Sequence, residues 1–131
     1  MEKKRIMVVG GHWESQMMAT CVLEGAGYDT ITLFDRRAVV QAVRDCRPDL
    51  VLLDLALPKL KAWQIVRSLR QDSRTQDVPI IGIVPSEERG EAAAMARGGL
   101  VDVFPRPIDN RSLLRRVRRV LKDDREQRHE Q

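Results

Sequence analysis

Cysteine is scarce: the chain holds two, Cys21 and Cys46, both in stretches with helical periodicity. Neither has a further thiol or a histidine at ligand spacing, which excludes a disulfide scaffold and a thiolate metal centre and reads both as buried, reduced thiols. Histidine is as rare, with His12 alone near the start and His129 in the tail, so no metal site is expected. No apolar run is long enough to span a bilayer, and the stretch after Met1 to Arg5 is too short for a signal peptide, so a cytoplasmic address is expected. Gly10 and Gly11 lack a third glycine at dinucleotide spacing and a Lys-Ser or Lys-Thr pair, which leaves nucleotide binding a weak third reading.

What is present suits one compact domain. With 131 residues, 43% hydrophobic and 32% charged, the chain can bury roughly two thirds of its unfolded surface without cross-links. Much of the formal charge of +4 sits in the run from Arg111 to Lys122, where a solvated helix face explains it. Three short apolar runs, Ile6 to Val9, Leu50 to Leu53 and Ile80 to Val84, lack the alternation of half-exposed strands and read as buried parallel strands. Thr30 to Leu33 and Val101 to Phe104 are weaker candidates that complete a set of five.

Helical periodicity fills the intervals: Met18, Cys21 and Val22; Val39, Val40 and Val43; Ala62, Ile65, Val66 and Leu69; Ala92, Met95 and Ala96; Leu114, Val117 and Leu121. Gly25 and Gly27 close the first helix, Asp35, Ser86 and Asp109 suit caps, and Pro48 precedes the third strand. The expected domain is 1–122, followed by a charged tail, 123–131, expected to fray or stay disordered. Alternation of this kind gives an α/β fold, a doubly wound five-stranded parallel sheet in three layers, with its functional edge beyond the carboxyl ends of the strands. That edge gathers Gly10, Gly11 and His12, then Asp54, then Val84 and Pro85, then Arg106 and Pro107.

The stretch Arg47-Pro48-Asp49-Leu50-Val51-Leu52-Leu53-Asp54-Leu55-Ala56-Leu57-Pro58, with Leu23-Glu24, Gly27-Tyr28 and Asp102 to Pro107, resembles the receiver domain of bacterial two-component response regulators. The resemblance covers nearly all of Lys4 to Leu121 and implies a flavodoxin-like fold with Asp54 at the phosphoacceptor position. In that family the reaction uses an acidic pair after the first strand to hold Mg²⁺, a Thr or Ser after the fourth, and a lysine after the fifth. Here Gly10 and Gly11 stand at the acidic pair, Val84 at the hydroxyl, Arg106 at the lysine and Val103 at the aromatic switch position. Lys59, Lys61 and Ala62 also depart from the pattern in the loop after Asp54.

Mg²⁺ makes the approach of a phosphoryl group to a carboxylate tolerable, and two glycines replace none of its carboxylate ligands. Mg²⁺ binding is therefore expected to be weak or absent, and no cofactor or enzymatic activity is expected. Arg106 offers a planar fork that suits a constitutive ion pair with Asp54. Trp13 and Trp63 fall near the functional edge, with core packing the default for Trp63.

The reading is a stand-alone atypical receiver acting through protein–protein interaction with a histidine kinase or downstream effector. A working phosphorelay regulator modified at Asp54 is the alternative. Glu87 and Glu91, Val101 and Val103, and Arg115, Arg118 and Arg119 place acidic, apolar and basic groups along one face, suited to a homodimer through the fourth helix, fifth strand and fifth helix. Nucleic acid is the weaker reading of the charge, because no reader module accompanies the domain.

Overall fold

The computed structural model describes residues 3–10, 13–55, 59–84, 98–105 and 109–123. Five strands form one parallel sheet in the order β2-β1-β3-β4-β5: β1 (Arg5–Val9), β2 (Asp29–Leu33), β3 (Leu50–Asp54), β4 (Ile80–Val84) and β5 (Asp102–Pro105). Each strand expected from the sequence is found within one residue of its bounds. The helices are α1 (Trp13–Gly25), α2 (Val39–Cys46) behind a 3-10 turn at Arg36–Ala38, α3 (Lys59–Gln71), and a last helix, Asn110–Leu121. The fourth expected helix, around Ala92 to Ala96, lies outside the described residues, as do Ser86 and the tail 124–131.

β3 and β4 are buried at every position, as an apolar run covered on both faces must be. Alternate side chains sort the core into two layers. Met7, Val9, Val51 and Leu53 pack with Val39 and Val43 of α2 and Ile65, Val66 and Leu69 of α3. Ile6, Val8, Leu50 and Leu52 pack on the opposite face with Ala19 and Leu23 of α1 and Leu113 and Val117 of the last helix.

Two expected faces are corrected. In α1 the inward stripe is Gln16, Ala19, Thr20 and Leu23, whereas Met18 is 59% exposed and Cys21 is exposed, not buried. Both stripes fit a 3.6-residue period, and the one with less apolar surface wins because Gln16 satisfies backbone carbonyls at the sheet edge. In the last helix Arg118 is half-buried, not fully outward, and Leu113 joins Val117 as the buried pair.

Polar contacts tie the layers at their ends. Asp35 accepts from the Arg37 amide (3.0 Å), capping the turn before α2 as its sequence position suggests. The buried Tyr28 hydroxyl donates to Asp123 (2.7 Å), holding the end of the last helix against the start of β2. Asp72 receives the Arg74 amide and lies 3.0 Å from Arg44, bridging α3 to α2.

That amide is the main cause holding the Asp72 carboxyl below its ordinary value, with Arg74 and Arg44 adding to it against partial desolvation. Asp109, before the last helix, is lowered chiefly by the Ser112 hydroxyl. A carboxylate with a depressed folded value adds stability above its unfolded value of 3.8, and that stability is lost as pH falls through the folded value. Thermal melts should therefore be insensitive to these groups from neutrality to about pH 4 and fall below it. Asp72→Asn should lower the melting temperature at pH 7 and flatten the acid limb.

Candidate functional site

Register places the site. Val9 pairs with Leu53 and Asp54 pairs with Ile83, so Gly10 emerges beside Asp54, and Val84 sits one residue beyond Asp54's partner. β1 and β3 are the strands on either side of the topological switch, where connections leave in opposite directions and a crevice opens.

Asp54 is only 4% exposed although it ends a strand. Gly10 explains part of that burial, because a Cβ there would stand 3.0 Å from Asp54 Cβ and 3.2 Å from Asp54 Oδ2. Few real Cβ atoms come so near, so the Asp54 side chain occupies room that a larger residue at position 10 would need. Val84, 2% exposed, closes the neighbouring strand with two methyl groups and no hydroxyl.

Gln16 is a site residue that sequence reasoning missed. Its Nε2 donates to Leu33 O (2.9 Å) and Val8 O (3.4 Å), stitching the carboxyl ends of β2 and β1 across the point where Gly10 N also donates to Leu33 O (3.2 Å). Its Oε1 is buried without a hydrogen-bond partner among the described residues. The amide carbon lies 3.5 Å from the position a Gly10 Cβ would take, so Gln16 and Asp54 close on Gly10 from two sides. The available signal is a polar residue in helical register with Ala19, Thr20 and Leu23 on α1.

Gly11, His12, Pro85, Arg106 and Pro107 lie outside the described residues, and with Arg106 goes the expected pairing to Asp54. Glu87 and Glu91 of the expected interaction face do too. Of the rest of that face, Val101 is 53% exposed, and Arg115 and Arg119 are exposed. Val103 is half-buried, and its carbonyl accepts from Arg116, which lies 3.4 Å from Asp102 and 4.9 Å from the centre of the Phe104 ring. Arg116 thus clasps β5 to the last helix.

The profile described as "Response regulator receiver domain" matches residues 6–118. The chain belongs to that family. It is 36% identical over 120 residues to the DNA-binding response regulator MtrA of Mycolicibacterium paratuberculosis, covering 92% of this chain and 52% of that protein. The chain therefore spans about half the length of those relatives. It is 27% identical over 117 residues to the protein PilH of Pseudomonas aeruginosa, covering 89% of this chain and 97% of that one. In fold it matches a response regulator from Desulfuromonas acetoxidans with a TM-score of 0.83 at 24% identity, over 91% of this chain and 97% of that one.

This receiver domain of a two-component response regulator keeps the family's sheet order and an aspartate at the end of β3. No helix among the described residues is long and apolar enough to cross a membrane.

Proposed function

We propose that this receiver works as an atypical signalling module whose output is protein–protein interaction, largely independent of Mg²⁺-assisted phosphorylation of Asp54. The observation that carries the reading is the placement of Gly10 beside Asp54: the position that carries an acid in the family has no side chain, and a Cβ there would stand within 3.2 Å of the Asp54 carboxylate.

Mg²⁺ demands six oxygens in near-octahedral order, gives up its waters reluctantly, and is held by one or two carboxylates together with water and phosphate oxygens. Among the described residues Asp54 is the buried carboxylate at this edge, and no group of three acidic, histidine or cysteine side chains gathers there. The Gln16 amide nitrogen is turned to backbone carbonyls, and its Oε1 is a neutral oxygen that replaces none of the charge of the missing carboxylates. This donor set does not fit the family's ion, so no phosphoryl-transfer step is derived for Asp54. Val84 removes in addition the hydroxyl that would bond a phosphoryl oxygen. Phosphorylation at Asp54 by a dedicated kinase is the competing reading, favoured by the retained aspartate at the switch point.

Tryptophan emission separates the two, because Trp13 opens α1 and Trp63 lies in the first turns of α3, both at this edge of the sheet. With Mg²⁺ and a phosphoryl analogue such as beryllofluoride, emission should stay unchanged. A saturable change that needs both components and disappears in Asp54→Asn would refute the proposal.

A further inference from the structure

The last helix carries no acidic residue from Asn110 to Lys122, and four of its cations, Arg111, Arg115, Arg119 and Lys122, are exposed. At 3.6 residues per turn these four fall within an arc of about 80°, along a stripe about 16 Å long. Arg115, Arg119 and Lys122 form no ion pair among the described residues, whereas Arg116 is turned inward to Asp102 and the Val103 carbonyl. Arg111, Arg115 and Arg119 follow one another at four-residue spacing, which places like charges side by side and destabilises the isolated helix. A solvated face needs no such alignment; a ligand with repeated negative charge does.

The geometry points to a use for it: we propose that this stripe binds the phosphate backbone of double-stranded nucleic acid without reading its sequence. Three observations favour that occupant over others. Protein interfaces gather around an apolar centre, and the arc from Arg111 to Arg119 contains only cations. Single-strand binders interleave aromatic stacking platforms with their charges, and this arc has no aromatic. Amphipathic helices that bind membranes insert an apolar face, and here Leu113 and Val117, on the opposite side, are fully buried in the core. Along the stripe, the four cations can each meet one phosphate of the duplex.

The test uses the full chain and a fluorescently labelled 25-base-pair duplex of arbitrary sequence, read by anisotropy at rising salt. Binding is expected in the micromolar range at low salt, with log K falling against log salt at a slope of about −3 to −4, since each phosphate contact contributes roughly −0.9. Arg115→Glu with Arg119→Glu should weaken binding tenfold or more while leaving the melting temperature equal or higher, because both sites are exposed and repulsion is relieved. Equal affinity of that variant, or no binding at 50 mM salt, would overturn the proposal and leave a solvated face. Equal binding of polyglutamate or of anionic vesicles at matched charge would overturn it in favour of a different anionic partner.

Discussion

Replacing Arg70 by alanine should cost about 3 kcal/mol of stability. Its guanidinium donates twice to Gly99 O (3.2 and 2.7 Å) and once each to Gln76 O (2.8 Å) and Val78 O (2.6 Å). These carbonyls belong to the turn before β4 and the turn before β5, so one side chain from α3 holds both loops that enter that edge of the sheet. Burial lowers the guanidinium's pKa and Asp77 works against that, which is how a half-buried charge is tolerated. Gly99, at φ +120°, leaves the clearance the guanidinium uses: a Cβ there would come within 3.2 Å of Arg70 Nε.

Hydrogen bonds to a charged donor contribute about 1.5–3 kcal/mol each, and water replaces part of them in the variant because the site is half-exposed. For a domain of this size the loss corresponds to a fall of roughly 10 °C in melting temperature. Arg70→Lys should recover little, because a single ammonium cannot span three carbonyls arranged for a planar fork. Amide exchange at Leu100 and Val101 should accelerate in both variants. A loss below about 0.5 kcal/mol would mean that water satisfies these carbonyls as well as the side chain does.

Gly10→Asp should create a dependence of stability on Mg²⁺. The new carboxylate would face Asp54 across a gap where even a Cβ stands 3.2 Å from Oδ2. Without a cation the like charges and the crowding should lower stability by about 1–3 kcal/mol, since the neighbours must shift by a few tenths of an ångström. With two carboxylates in place, Mg²⁺ gains a second charged ligand beside Asp54. At a concentration ten times its dissociation constant it would restore about 1.4 kcal/mol, or roughly 4–6 °C. Differential scanning fluorimetry with and without 10 mM Mg²⁺ checks this, with Ca²⁺ as a comparison ion. An equal Mg²⁺ shift in the natural chain would mean that other residues already complete the site.

The sheet is legible because its strands are short, apolar on both faces and separated by helical periods; Leu50 to Leu53 is too short for a typical helix. Asp54 and Gly10 were legible through family resemblance and chain order. Three features were not. The inward face of α1 was read from Met18, Cys21 and Val22, and hydropathy gave no weight to a glutamine that bonds two strand carbonyls. Arg118 was read as solvated because a helix period cannot report what packs beside it. Arg70 left no trace in the sequence, since its three acceptors lie six to twenty-nine residues away and are backbone atoms that any residue type supplies.

We propose that Asp54 stands at the functional edge without the apparatus that phosphorylates it. Intact-mass spectrometry after incubation with a small phosphodonor and Mg²⁺ tests it most directly. The account predicts an unmodified mass for the natural chain under conditions that fully modify an ordinary receiver. An added phosphoryl group on the natural chain, absent in Asp54→Asn, would contradict it.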